Sequence, residues 1–127
     1  MANGPPAIVL VEDDERLRGA LAGVLAISGF SVAPFAAGEA ARDDAPWATA
    51  ACLIVDVALP GISGLELLRW LRGRGSAVPA IVLTADTRGV TRDAAMRLGV
   101  AAYLEKPLGG RVLTAAVREA ISKGRDG

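Results

Sequence analysis

Short, unbroken apolar runs are the feature of this sequence that most constrains its fold. The clearest run covers residues 52–55, leads directly into Asp56, and is followed closely by Pro60 and Gly61. A short apolar run bounded by turn residues is typical of a strand buried on both faces, as in a parallel sheet. Pro34 should shorten the second predicted strand and place it at a sheet edge. The other runs that we predict to be strands cover residues 7–11, 30–33, 78–83 and 100–104.

A predicted helix follows every predicted strand. The first and last helices have apolar residues at helical spacing, the second is weak and alanine-rich, and the fourth is short with a polar face. Because strands and helices alternate, the sheet should be parallel and covered by helices on both faces. We therefore predict an α/β fold of the flavodoxin-like (βα)5 type, a three-layer sandwich with the strand order 2-1-3-4-5. The third helix should begin at Ser63 or Gly64. The predicted helices cover residues 14–27, 38–45, 63–71, 87–98 and 108–121.

The composition fits one small folded domain. A chain of 127 residues, 52% of them hydrophobic, can bury a sizeable core, which we place at about residues 7–121 between flexible ends. No apolar run approaches the roughly 20 residues that span a bilayer, and the first residues do not resemble a secretory signal. Cys52 is the only cysteine, so an internal disulfide is excluded and a buried, unreactive thiol is expected. We predict a single cytoplasmic domain over residues 1–127, with Trp47 as a packing residue.

The charged residues exclude several classes of function. Lysine and arginine total 14, as do aspartate and glutamate, so no overall field attracts the chain to nucleic acid or to an anionic membrane. The sequence has no histidine, which excludes a Ser/His/Asp triad and, with a single cysteine, argues against zinc. A bound metal should instead be a hard ion held by oxygen, with Mg²⁺ the leading candidate.

Polar residues follow four of the five predicted strands. They are Glu12 and Asp13, then Asp56, then Thr84, then Lys106. Each alone could cap a helix or face solvent, but the carboxyl ends of parallel strands meet at one edge of the sheet, where ligands bind. Three carboxylates about 4 Å apart would repel by roughly 4 kcal/mol per pair at an effective dielectric near 20. A divalent cation relieves that repulsion.

The strand-end residues also suit a phosphoryl group. Mg²⁺ usually takes only one or two carboxylates together with phosphate oxygens, which leaves room for such a group in the pocket. Lys106 and Thr84 would bind its remaining oxygens, and a carboxylate nucleophile could form an aspartyl-phosphate. Strand alternation alone does not decide which two of Glu12, Asp13 and Asp14 bind the metal.

This ordered set of residues resembles the receiver domain of two-component response regulators. The resemblance covers residues 7–121 and implies a phosphoacceptor domain like that of the chemotaxis regulator. Asp56 would take phosphate from the phosphohistidine of a sensor histidine kinase or from a phosphotransfer protein. The implied protein is a signalling domain rather than an enzyme, able to assist its own phosphorylation and dephosphorylation. The matching residues are Glu12-Asp13, Asp56, Thr84 and Lys106-Pro107.

The resemblance implies a set of metal ligands. Mg²⁺ or Mn²⁺ would be bound by Asp13 directly, by Glu12 through water, by Asp56, and by the backbone carbonyl of Ala58. The family pattern ends the first strand with its acid pair. That favours Glu12 and Asp13 and leaves Asp14 to cap the first helix.

The resemblance also implies a switch. Thr84 and Lys106 would hold the phosphoryl oxygens, with Pro107 following Lys106 as in the family. On phosphorylation Thr84 should move toward the phosphate, and Tyr103 should fill the space that it leaves. The exchange would change the face made by the fourth helix, the fifth strand and the fifth helix, through which two copies could also dimerise.

The output is expected to be control of transcription, through a domain or partner that this chain does not contain. Residues 103–108 are similar to receivers whose second domain is a helix-turn-helix DNA binder. The chain would be either a stand-alone receiver or the N-terminal piece of a longer regulator. We expect no direct binding of this chain to nucleic acid and no contact with a membrane.

Three alternatives remain open at this point. A degenerate receiver would act as a protein-binding module without phosphorylation, although the complete set of site residues argues against it. A phosphatase of the haloacid dehalogenase type needs a second aspartate two residues after the first, where this chain has Ala58. A nucleotide- or flavin-binding module would need a glycine-rich loop after the first strand, where acids stand instead.

Overall fold

Strands and helices alternate throughout residues 4–126, which are the residues that the computed structural model describes, with side chains to Gly124. The elements are β1 (Ala7–Val11), α1 (Glu15–Ile27), β2 (Ser31–Phe35), α2 (Gly38–Asp44), β3 (Ala50–Asp56), α3 (Gly64–Gly73), β4 (Ala80–Thr84), α4 (Arg92–Arg97), β5 (Ala102–Glu105) and α5 (Gly110–Asp126). The five strands form a parallel sheet in the order β2-β1-β3-β4-β5. The predicted fold and strand order are confirmed.

The sheet has a hydrophobic cluster on each face, which explains the unbroken apolar runs. Alternate residues of one strand point to opposite faces, so a strand covered on both sides needs apolar residues at every position. In β3, Leu53 and Val55 pack in one cluster with α2, α3 and α4, whereas Cys52 and Ile54 pack in the other with α1 and α5. All four side chains are fully buried.

The first and third helices begin at capping signals in the sequence. Asp14 precedes α1, and its Oδ1 accepts a hydrogen bond from Leu17 N at 3.1 Å. Ser63 precedes α3 and forms a capping box with Glu66, in which each side chain accepts a bond from the other residue's backbone N–H. These bonds satisfy backbone donors that a helix start otherwise leaves unpaired.

The fourth helix is shorter than predicted. Residues 87–91 form turns, and α4 covers only Arg92–Arg97, so the prediction of helix over 87–91 is wrong. Gly89 has φ +74°, a left-handed conformation that an α-helix cannot contain. The glycine therefore places a turn where we predicted the start of the fourth helix.

The second strand is not shortened by its proline. β2 continues through Pro34 to Phe35, in contrast to the prediction. Phe35 O accepts a bond from Glu12 N at 3.0 Å, so the neighbouring Pro34 directs its missing N–H away from β1, toward the open edge of the sheet. The predicted edge position is thus what allows the proline to remain in the strand.

The ends of the chain differ in part from the prediction. We predict that the fifth helix ends at residue 121, but α5 continues to Asp126, and Lys123 Nζ and Glu119 Oε1 lie 2.8 Å apart on successive turns. The other flexible-end positions, residues 1–3 and Gly127, lie outside the described residues. None of the helices in the described part of the chain combines the length and apolarity that a bilayer crossing requires.

Trp47 packs against the core, as predicted. Its side chain is half-buried beside the cluster that covers α2 and α3, and its Nε1 donates a hydrogen bond to Ala41 O at 3.0 Å. The indole therefore holds the loop after α2 onto that helix.

Candidate functional site

Four adjacent strand ends bring the polar residues together at one edge of the sheet. Glu12 and Asp13 directly follow β1, Asp56 ends β3, Thr84 ends β4, and Lys106 directly follows β5. Because β1, β3, β4 and β5 are neighbours in that order, their carboxyl ends lie side by side. One carboxylate oxygen from each of Glu12, Asp13 and Asp56 lies within 4.8 Å of the others.

Lys106 bridges two of the three acids. Its Nζ lies 2.6 Å from Oε1 of Glu12 and 2.7 Å from Oδ2 of Asp56. The Glu12 side chain is fully buried, the Asp56 side chain is 7% exposed, and the Lys106 side chain is 18% exposed. The pairing is therefore largely withdrawn from solvent, where charge-assisted hydrogen bonds are strong.

The pKa values of the bridged groups reflect their burial and their pairing. Burial raises the pKa of Glu12 above its ordinary value, and the hydrogen bond from Lys106 opposes that change. Burial disfavours the charged form of Lys106, yet its hydrogen bonds to Asp56 and Glu12 raise the pKa of the ammonium above its ordinary value. Lys106 is thus a permanent cation at neutral pH.

The other oxygen of each buried acid is bound by backbone. Oδ1 of Asp56 accepts a bond from Ala58 N at 3.1 Å, and Oε2 of Glu12 accepts one from Asp14 N at 3.1 Å. Gly64 is essential to this packing, because a Cβ there would lie 2.2 Å from the Asp56 backbone oxygen. Both acids are therefore held in fixed orientations by the loops that follow their strands.

The residues present fit a hard divalent cation. Asp13 is exposed, whereas the nearby Asp56 and Glu12 are buried. An oxygen-only donor set of this kind matches the preference of Mg²⁺ and Mn²⁺. Ala58 is also exposed, in the loop directly after Asp56.

Thr84 and Tyr103 lie on the β4–β5 side of the site. Thr84 is buried, and its Oγ1 accepts a bond from Asp86 N at 2.9 Å, while its backbone oxygen accepts one from Lys106 N at 2.7 Å. The Tyr103 hydroxyl lies 2.6 Å from Thr91 Oγ1, and the ring is half-buried. The structure thus places Tyr103 against the start of α4 rather than beside Asp56.

Sequence reasoning missed two contacts around the site. Arg18 Nη1 donates to Glu12 O at 2.9 Å, so this arginine folds back onto the loop after β1. Glu39 reaches from α2 to the loop after β3, where its Oε2 accepts a bond from Ile62 N at 3.3 Å. An acid in a first helical turn is common for its effect on the helix dipole, so the sequence carries no signal for this second contact.

Asp86 does not add an unpaired acid to the site. Its Oδ1 lies 3.0 Å from Nε of Arg88, which is exposed. Hydrogen bonds from the Arg88 side chain and backbone lower the pKa of Asp86.

Lys106 and Pro107 are joined by a cis peptide bond directly after β5.

Comparisons with known proteins agree with this geometry. A model of the response regulator receiver domain matches residues 8–118. The chain is 37% identical over 114 residues to the transcriptional regulatory protein FixJ of Azorhizobium caulinodans, a match that covers 90% of this chain and 54% of FixJ. It is 34% identical over 120 residues to the sensory transduction protein RegX3 of Mycobacterium tuberculosis, covering 94% of this chain and 52% of RegX3.

The fold comparison gives the same result. The crystal structure of FixJ-N matches with a TM-score of 0.84 and 31% identity, over 92% of this chain and 94% of FixJ-N. The chain spans about half the length of the curated relatives it matches. Its sequence, its strand order and the residues at its strand ends all fit one family, and the chain belongs to the response regulator receiver domains.

Proposed function

We propose that this chain is a phosphoacceptor receiver that takes a phosphoryl group on Asp56 from a sensor histidine kinase or a phosphotransfer protein. The observation that carries the proposal is the bridge from Lys106 Nζ to Glu12 and Asp56, at 2.6 and 2.7 Å, beside the exposed Asp13. It supplies a nucleophile, a fixed cation and a metal-binding acid pair in one place. The whole chain, residues 1–127, is proposed to be one such domain.

In the proposed reaction, an oxygen of Asp56 attacks the phosphorus of a phosphohistidine. A P–O bond forms as the P–N bond breaks, and the imidazole leaves with its electron pair and takes a proton. Carboxylate nucleophiles of this kind form aspartyl-phosphates in other proteins. Because phosphoryl transfer depends mainly on positioning and electrostatic stabilisation, a fixed Asp56 suits the reaction.

Lys106 and Thr84 would stabilise the transferred group. Lys106 already donates to Asp56, so its ammonium can turn to a phosphoryl oxygen with little movement. The Thr84 hydroxyl accepts from Asp86 N and can still donate its own hydrogen. Pro107 follows Lys106 and would help to hold the turn that positions this lysine.

Glu12, Asp13, Asp56 and the Ala58 carbonyl would hold Mg²⁺ or Mn²⁺. The cation would neutralise the charge that develops on the phosphoryl oxygens. With Asp13 exposed and Glu12 buried, Asp13 suits direct ligation, whereas Glu12, already bonded to Lys106, suits ligation through water.

The signal would pass through the β4–β5 side. Phosphorylation adds roughly −1.5 to −2 charges beside Lys106, which favours movement of the Thr84 hydroxyl toward the phosphate. Tyr103 would leave Thr91 and move into the space that Thr84 vacates. The change would alter the face of α4, β5 and α5, which we propose as the output surface and as a possible homodimer contact. Transcription is the proposed output, since FixJ is a transcriptional regulatory protein. We also propose a cytoplasmic location.

The proposal is tested by incubating the full chain with Mg²⁺ and phosphoramidate or acetyl phosphate. Intact-mass spectrometry should detect one added phosphoryl group that is lost on alkaline treatment, and EDTA should prevent its addition. Asp56→Asn should abolish the adduct. Asp44→Asn, the same chemical change on the exposed surface of α2, should leave it unchanged.

Two outcomes would overturn the proposal. An adduct that persists in Asp56→Asn would place the phosphoryl group on another residue. A wild-type chain that forms no adduct, and that binds its partner equally well with and without phosphodonor, would favour the degenerate receiver.

A further inference from the structure

Glu39 connects the first turn of α2 to the loop that follows Asp56. Its Oε2 accepts a hydrogen bond from Ile62 N at 3.3 Å, between residues 23 positions apart in the chain. Its Oε1 is buried and has no hydrogen-bond partner among the described residues. A buried carboxylate oxygen without a partner costs free energy, so local stability alone does not explain the position of this side chain.

Two glycines make the close approach of α2 to the loop possible. A Cβ at Gly61 would lie 2.1 Å from Oε2 of Glu39, and a Cβ at Gly38 would lie 2.6 Å from Cγ1 of Ile62. Gly61 also has φ +77°, a conformation that other residues rarely adopt. The carboxylate therefore lies directly against the loop backbone, with no side chain between them.

The loop that Glu39 contacts is the one that carries Ala58. At its start, Val57 N donates to Leu83 O at 2.9 Å, and Ala58 N donates to Oδ1 of Asp56 at 3.1 Å. The Ile62 bond holds the same loop near its other end, just before α3 begins. Ala58 thus lies between an attachment to the sheet and an attachment to α2.

We propose that Glu39 is a positioning residue for the metal site. By binding Ile62 N beside Gly61, it holds the loop whose Ala58 carbonyl would bind Mg²⁺ or Mn²⁺, and so raises the affinity of the site without touching the metal. The inference rests on the proposed function and adds a residue to it. Hydrogen-bonded supports of this kind, outside the direct ligands, typically change metal affinity by 10–100-fold when removed.

The test is a titration of the full chain with Mn²⁺, with the free ion measured by electron paramagnetic resonance. Glu39→Ala should weaken Mn²⁺ binding by about tenfold, the lower end for residues that support a metal ligand. Glu39→Gln should bind almost as the wild type does, because the amide oxygen can still accept from Ile62 N. Asp44→Ala removes a charge from the same helix without this contact and should also bind as the wild type does.

The glutamine variant separates the hydrogen bond from charge. Glu39→Ala and Glu39→Gln both remove one negative charge, so equal losses of affinity in the two would show that charge alone matters and would overturn the inference. An unchanged affinity in Glu39→Ala would overturn it as well. Circular dichroism without metal shows whether Glu39→Ala folds. If it does not, Gly61→Ala replaces it in the titration, because the added Cβ displaces the Glu39 carboxylate while its charge remains. Wild-type affinity in Gly61→Ala would contradict the inference.

Asp13→Asn distinguishes a failure of this inference from a failure of the proposed function. If Asp13→Asn leaves Mn²⁺ affinity unchanged, the acid cluster is not the metal site and the proposed function itself loses its support. If Asp13→Asn weakens binding while Glu39→Ala does not, only the role of Glu39 is wrong.

Discussion

The two sides of the strand-end site differ in how firmly they are held. We call Glu12, Asp13 and Asp56 the acid side, and Thr84, Thr91 and Tyr103 the switch side. On the acid side, all four carboxylate oxygens of the buried Glu12 and Asp56 have hydrogen-bond partners. On the switch side, Tyr103 is half-buried and its hydroxyl is bonded to Thr91, at the start of a helix of six residues.

Under the proposed function, the comparison separates the residues that would react from those that would respond. A nucleophile must stay in one geometry, and dense hydrogen bonding to both of its oxygens achieves this. A segment that changes position is drawn from the less stable parts of a fold, with fewer buried contacts. Residues 85–91 fit that description, since Val90 is 66% exposed and residues 87–91 form turns before α4 begins at Arg92.

The largest expected effect comes from Lys106→Met, which removes the ammonium that pairs with the acid side. We expect the rate of phosphorylation by phosphoramidate to fall by about 10²–10³-fold, as for loss of one donor to a developing anion. Lys123→Met, at an exposed lysine on α5, is the control and should keep the wild-type rate. A near wild-type rate in Lys106→Met would remove this residue from the chemistry.

Gly64→Ala tests how rigid the acid side is. Its Cβ would lie 2.2 Å from the Asp56 backbone oxygen, so we expect a loss of about 1–3 kcal/mol in unfolding free energy, measured with urea. Gly73→Ala, at the other end of α3, meets nothing within 4 Å and should be neutral or slightly stabilising. Equal stabilities for the two variants would mean that the loop after β3 moves to accommodate the Cβ at little cost in free energy.

Cys52 should make stability fall at alkaline pH. Burial raises the pKa of this thiol to about 12, from 9.0. The thiol is protonated in both states below pH 9, so its contribution is fully present there and is lost as pH rises toward 12. At pH 10 the loss relative to Cys52→Val should be about 1 kcal/mol, since roughly one pH unit above the ordinary pKa of the thiol contributes. Urea unfolding of both proteins at pH 8 and pH 10 measures it, and parallel curves would contradict the prediction.

The smallest effect is expected on the switch side. Thr91→Val and Tyr103→Phe each remove the same 2.6 Å hydrogen bond, and each should cost about 1 kcal/mol or less because the pair is only half-buried. The double variant should be no less stable than the less stable of the two single variants, because both changes break the same hydrogen bond. Additive losses in urea unfolding would show that the two side chains act independently.

Local signals account for what the sequence predicted well. β1, α1 and β3 have continuous apolar runs or helical stripes, and the caps at Asp14 and Ser63 mark helix starts by their own chemistry. The convergence of Lys106 with Glu12, 94 residues earlier, followed from the strand order rather than from any nearby pattern. Long-range contacts were predictable where the topology brings strand ends together.

The sequence-based predictions failed where the structure depends on the backbone conformation of one residue or on contacts between residues far apart in the chain. Whether Gly89 takes a left-handed φ inside an apparently helical segment depends on its surroundings, and the sequence gives only a permissive residue there. Arg72 likewise donates to Leu98 O and Val78 O, two carbonyls of other segments, which no spacing rule indicates. The contact of Glu39 with Ile62 belongs to the same class.

The bridge made by Lys106 has a consequence for how the domain matures. Where a metal site contains only acids, repulsion between the carboxylates opposes folding until the ion binds. In such proteins metal binding and folding occur together. Here the ammonium serves as an internal counterion, so Glu12 and Asp56 can be assembled in their final places with no ion from outside. If the site binds Mg²⁺ as proposed, folding and metal uptake would be separate steps, and the domain would stay folded where free Mg²⁺ is scarce.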